Sequence, residues 1–235
     1  MRIRQCALCI FSPLLLAAIA FGQEEYVGRY DAYAGFMYLD SPLIGLGETG
    51  YHLQAGFNPT TWYSMGVDFS AGTGDTTLVP SMLKSLTQQQ ISSQLTAAGI
   101  PSSFALAVPM HSSSQTYAIG PQVNYRHFHK LTLFIHPDVG VIHEDATPHV
   151  NDSDTLERIV TTMLIAQMAP SGSKEDYVWF YGFGGGFDYN MTQHVGLKVH
   201  VDFVHDHLFP DMLNGRNSVR MSIGPVFHMG HNVAQ

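Results

Sequence analysis

The 235 residues carry 11 Lys and Arg against 19 Asp and Glu, a formal net charge of −8, and charged residues make up only 13% of the chain. That share is about half the usual value for a soluble domain. The acidic balance argues against nucleic acid as a partner, because binding phosphate needs a basic surface.

The chain opens with MRIRQCALCIFSPLLLAAIAFG, in which Arg2 and Arg4 precede an apolar run from Cys6 to Ala20 and then small residues. This reads as a secretory signal peptide over 1–22, with export through the Sec pathway. Cleavage follows Ala20 or Gly22, and Gly22 is preferred. Both cysteines, Cys6 and Cys9, leave with it. The mature chain, 23–235, then has no disulfide and no thiolate for a metal or a nucleophile. Two arginines leave as well, so nine basic side chains remain of the eleven, against nineteen acidic ones. After the signal no apolar run reaches eighteen residues, so any membrane crossing is made by strands.

Eight segments then alternate with period two: 26–38, 50–57, 62–71, 116–126, 131–143, 177–189, 195–207 and 218–230. Most approach the ~9–11 residues that a tilted strand needs to cross a bilayer. Short turns follow the second, fourth and sixth (58–61, 127–130, 190–194). Longer connections follow the first, third, fifth and seventh (39–49, 72–115, 144–176, 208–217). Short turns at one end and long loops at the other predict an all-β, eight-stranded antiparallel up-and-down transmembrane barrel. Pro121, Pro137 and Pro225 sit awkwardly in central strands and are expected at bulges.

Two of the long loops carry helical patterns. The stretch 81–101 places Leu83, Leu86, Gln90, Ile91 and Leu95 along one side, with Gly99 and Pro101 as a stop. The stretch 154–172 has Asp154 as N-cap and Glu157 three residues on, a capping box. An apolar stripe of Leu156, Ile159, Val160, Met163, Leu164 and Met168 follows it. The simplest expectation is that these helices pack on the barrel rim or on one another.

One face of the strands is apolar throughout, while the other is glycine-rich and carries Arg29, Arg126, Lys198 and Arg220 against Asp31, Asp68, Asp138, Asp188 and Asp202. A soluble barrel would instead show an outer face rich in Lys and Glu. A near-balanced mixture of opposite charges suits a packed interior, where unpaired charge costs several kcal/mol. An eight-stranded barrel is just wide enough for side chains to fill it. The apolar face is therefore expected against lipid and the nine charged residues in a lumen ion network. Phe57, Tyr125 and Tyr189 before the short turns, with Tyr38, Phe69, Tyr117 and Phe203 toward the loops, suit two interfacial aromatic bands.

Sites with chemistry of their own are weak. His205 and His207, with Asp211 near, could hold a divalent metal, but a polar strand end at the membrane rim is the simpler reading. GFGGGF (Gly182–Phe187) lies within a strand and has no Lys-Ser/Thr after it, so it is not a phosphate loop. No cofactor is expected.

Together these features resemble the bacterial eight-stranded outer-membrane barrel superfamily. Its type is the transmembrane domain of outer-membrane protein A, without the peptidoglycan-binding domain of some relatives. The resemblance spans 23–235. Ser222, Gly224, Phe227 and Met229 are similar to the family's C-terminal assembly signal, with Met229 in place of an aromatic and six residues beyond it. It implies a monomer surrounded by outer-membrane lipid and lipopolysaccharide and inserted by the barrel-assembly machinery. It also implies a non-enzymatic structural or surface-interaction role. A small channel or solute-binding barrel is the alternative, as is a lipid A-modifying hydrolase using His143 or His205 as base.

Overall fold

The computed structural model describes residues 26–101 and 104–234, so the expected signal segment lies outside the described residues. Eight strands follow in order: β1 (Gly28–Ser41), β2 (Leu46–Phe57), β3 (Tyr63–Leu78), β4 (Val108–Tyr125), β5 (Leu131–Pro148), β6 (Lys174–Asn190), β7 (Val195–Asp206) and β8 (Arg216–Asn232). Each pairs antiparallel with the next, and β8 returns to β1. The sheet closes into a barrel, so it has no edge strand, and the loop-side ends of β3 and β6 run beyond their pairing with β2 and β7.

The eight expected strands are all present, but several run well past their expected loop-side limits. The 39–49 connection shrinks to a four-residue turn at 42–45, where Gly45 takes φ +58°. The other connections span 79–107, 149–173 and 207–215. The cause is a change of solvent along each strand. Beyond the aromatic band the outward residues turn polar: Thr73, Asp75 and Thr77 on β3, Ser113 and Gln115 on β4, Asp145 and Thr147 on β5. Both faces are then polar, the alternation fades from the sequence, and the ladder of backbone hydrogen bonds continues regardless. These segments form a polar collar above the apolar belt.

The belt has the height of a membrane. Along β6, the outward Tyr189 and Trp179 bound it. Ten residue steps make about 33 Å along the strand, or about 25 Å along the normal at a tilt of roughly 40°.

The prolines do not mark bulges. Pro121 pairs with Met65 and Pro225 with Leu197 in unbroken register. Between β4 and β5 the ladder breaks after Ile119↔Val139 and resumes at Val123↔Ile135 in the same register, which sets Pro121 opposite Pro137. Both prolines face outward, and each removes one donor, so placing them together confines the loss to one gap. The register shift between β1 and β8 falls instead between Gly28 and Tyr30.

The loops carry a 3-10 turn (Pro80–Met82) and two helices, α1 (Ser85–Ala97) and α2 (Thr155–Met168). Gly99 ends α1's turn at φ +75°. Asp154 caps α2 by accepting from the Glu157 amide at 2.7 Å, while the Glu157 carboxylate takes the Ser153 hydroxyl. The predicted stripes divide. Leu83, Ile91, Val160 and Leu164 are buried, whereas Leu86, Leu156, Ile159 and Met163 are exposed. The buried half joins Ile44, Phe209 and Leu213 from other turns, and Leu46, Ile142, Phe180 and Val204 from inward strand positions, in one apolar cluster. The loops thus fold into a cap with its own core, continuous with the loop-side end of the lumen.

Candidate functional site

Side chains alternate across a strand, so the outward placement of Val195, Leu197, Val199, Val201 and Phe203 on β7 sends Lys198, His200 and Asp202 inward. All three inward side chains are buried. The same alternation on the neighbouring strands brings partners to each of them.

Nearest the short-turn end, Asp31 accepts from His228 Nδ1 at 2.7 Å and from Asn58 Nδ2 at 2.6 Å. Arg126 donates to the Thr61 carbonyl and to Thr132 Oγ1. Next, Lys198 Nζ donates to Gln54 Oε1 at 2.7 Å, lies 3.8 Å from Asp188 Oδ1 and 4.6 Å over the Phe134 ring.

The middle of the lumen is the densest part. Asp202 Oδ2 accepts from Arg220 Nε and sits 2.7 Å from its Nη2. Arg220 Nη1 reaches Ser70 and Thr116 at 3.2 Å each. Asp68 pairs with His52 Nε2 at 2.9 Å, and His52 Nδ1 meets Ser222 Oγ at 2.9 Å. Asp138 accepts from His136 Nδ1 at 2.7 Å. The Nε2 atoms of His136 and His200 touch, and both face Asp202 Oδ1.

Toward the loops, Arg216 joins Glu144 at 2.7 Å and Asp206 at 3.1 Å, and Glu48 takes the Ser112 and Ser114 hydroxyls. Arg216 and Arg220 are each only 1% exposed. Charges buried this deeply persist only when paired and hydrogen-bonded.

Of the nine residues expected in the network, Arg29 stands apart. It sits at the irregular start of β1, half-exposed, with its guanidinium 4.7 Å from the centre of the outward Phe57 ring. Its cation covers an aromatic face. Nor do the charges cancel as expected. Histidines, which carry no formal charge at neutral pH, partner Asp31, Asp68 and Asp138, and Glu48, Glu144, Asp206 and Arg216 extend the set. Reading 39–49, 144–176 and 208–217 as loops hid Glu48, Glu144 and Arg216.

The rim histidines do not assemble with Asp211. His205 Nδ1 meets Asn217 Oδ1 at 2.7 Å and its ring stands edge-on to His207. Asp211 instead pairs with Lys174. His143 stacks on Tyr177 at 4.1 Å. Among the described residues neither His143 nor His205 is hydrogen-bonded to a serine hydroxyl. Of the four residues resembling an assembly signal, Ser222 and Gly224 point inward while Phe227 and Met229 are exposed on the belt.

The glycines of β6 make the middle of the lumen possible. Gly184 pairs with His136 on one side and Asp202 on the other. A Cβ there would collide with Asp202 Oδ1 and lie 2.8 Å from His136 Nε2. GFGGGF is the thin part of the wall behind the histidines.

A closed ring of eight antiparallel strands, greasy outside and ion-paired inside, settles the fold. The chain is a closed eight-stranded antiparallel barrel with an apolar outer belt. It is similar to the Neisserial surface protein A structure at 11% identity, covering 85% of this chain and 96% of that one, with a TM-score of 0.48. It is similar to OprG from Pseudomonas aeruginosa at 13% identity, covering 87% and 97%, with a TM-score of 0.46. For Ail, the attachment invasion locus protein of Yersinia pestis, the figures are 9% identity, 86% and 98% coverage, and a TM-score of 0.43. No protein-family model matches the chain, and no curated protein matches it in sequence.

Proposed function

We propose that this protein is a closed, non-enzymatic barrel of the outer membrane with a structural and surface-interaction role. In this reading it is exported by the Sec pathway, inserted by the barrel-assembly machinery and surrounded as a monomer by lipid and lipopolysaccharide. The observation that carries the reading is a lumen occupied by buried, hydrogen-bonded polar and charged side chains beneath a loop cap with its own apolar core. A solute would have to break several buried ion pairs to pass, each costing several kcal/mol. The surface role rests on the cap. Leu156, Ile159 and Met163 leave an apolar strip of α2 facing outward, and exposed apolar strips are where partners bind.

Planar-bilayer recording of the folded protein tests closure. Silence is expected, and discrete conductance steps would overturn the reading in favour of a channel. One feature favours the solute-binding alternative: a cavity of about 80 Å³ inside the cap, lined by Leu83, Leu106, Leu164 and Leu213 among others. The hydrolase reading is tested by mass spectrometry of lipid A from cells with and without the protein. Identical spectra are expected, and any modified species lost on His205→Ala would overturn the non-enzymatic role.

A further inference from the structure

We propose that His136, His200 and Asp202 form a site for one divalent transition-metal ion of borderline softness, such as Zn²⁺, in the middle of the barrel lumen. Their donor atoms, the two Nε2 and one carboxylate oxygen, lie together and buried, brought from β5 and β7 across the gap left by Gly184. Imidazole nitrogen with carboxylate oxygen is a donor set that suits zinc and its neighbours.

Three independent features favour a cation at that point. The first is geometry. Asp202 Oδ1 lies 2.9 Å from His200 Nε2 and 3.2 Å from His136 Nε2, yet it is buried and hydrogen-bonded to neither. Metal–ligand bonds of about 2.0–2.1 Å put tetrahedral donor atoms about 3.3 Å apart, close to both distances from Asp202 Oδ1, while the two Nε2 atoms, which touch, must part to admit the ion.

The second is orientation. His136 Nδ1 is held at 2.7 Å by Asp138, which places its proton there and leaves the Nε2 lone pair facing the centre. Carboxylate behind histidine is the arrangement that fixes metal-binding imidazoles. Asp202 is likewise steered, because Arg220 occupies Oδ2 and leaves Oδ1 for the site. His52 stacks on His200 but spends both ring nitrogens on Ser222 and Asp68, so it is a wall and not a ligand.

The third is charge. Asp68, Asp138 and Asp202 are buried together with one fixed cation, Arg220. With neutral imidazoles the group carries two uncompensated negative charges, and one divalent ion cancels both.

The test uses the full barrel folded in detergent micelles, stripped with chelator and titrated with Co²⁺, both after folding and when refolded in its presence. The expected result is visible d–d absorption saturating at one equivalent per chain, abolished by Zn²⁺ competition. Zinc should also raise the temperature at which the compact band on unboiled gels is lost. His136→Ala and His200→Ala, checked for heat-modifiable migration, should lose binding, while His205→Ala keeps it. Asp138→Asn should weaken affinity about 10–100-fold. If the alanine variants fail to fold, X-ray absorption of the wild-type cobalt form decides: two imidazoles and an oxygen ligand support the site, and any other ligand set overturns it. Folded wild-type protein that takes up no stoichiometric metal by either route, or binding unchanged in folded His136→Ala and His200→Ala, also overturns it. Conductance measurements do not bear on this result, so it stands or falls separately from barrel closure.

Discussion

Arg220 directs two guanidinium nitrogens at a single carboxylate oxygen of Asp202, at 2.8 and 2.7 Å, across the β7–β8 register that pairs the two residues. Both are about 1% exposed. Removing one partner strands the other charge without water. Arg220→Met should therefore destabilise the metal-free barrel by about 3–5 kcal/mol, read from urea unfolding in lipid vesicles. The double variant Arg220→Met with Asp202→Leu should recover much of that loss, because neither charge is left behind. Equal losses for single and double variants would show that the pair is not what holds this part of the lumen.

Which face meets lipid is open to a direct test. Val139 lies midway along the outward face of β5, and Thr77 lies outward in the polar collar. Val139→Arg should cost about 2–4 kcal/mol, and Thr77→Arg roughly nothing. Folding free energies in vesicles compare the two. A neutral Val139→Arg would mean that the apolar belt is not in contact with hydrocarbon.

The cap should unfold without the barrel. Leu164 is buried in the cap cluster, and Leu164→Ala opens a cavity worth about 2–5 kcal/mol. Hydrogen exchange across 79–107 and 149–173 should quicken markedly, while the compact gel band of the barrel survives boiling-free electrophoresis unchanged. Loss of both together would show that the cap and barrel fold as one unit.

A smaller effect is expected at the start of α2. Asp154→Ala removes the acceptor for the Glu157 amide, worth about 1 kcal/mol. Exchange should rise in the first turn of α2 and nowhere in the strands.

The sequence disclosed most of the barrel, because an apolar lipid face against a polar lumen face writes a strong period-two pattern into β1 to β8. It disclosed the strand ends poorly. At Thr73, Asp75, Ser113 and Gln115 the outward neighbour is water, both faces are polar, and the period vanishes while the hydrogen bonding does not. The same blind spot concealed Glu48, Glu144 and Arg216. A formal charge count gives histidines no weight, so the pairing of His228, His52 and His136 with Asp31, Asp68 and Asp138 passed as a near balance of charge. The meeting of His136 with His200 and Asp202 was beyond reach. It joins residues some 64 apart in the chain across a third strand, and what permits it is the missing side chain of Gly184.

The polar collar has a consequence for what the outside world can cut. From Thr116 to Val108 it adds about 27 Å along β4, or about 20 Å of height at a tilt of roughly 40°. Along it β4 is laddered to β3 on one side and, from Met110 onward, to β5 on the other. A protease working from outside cannot draw such chain into its cleft, so nicking should be confined to 79–107, 149–173 and 207–215. The fragments should stay assembled, held by the wall that carries the cap clear of the membrane surface.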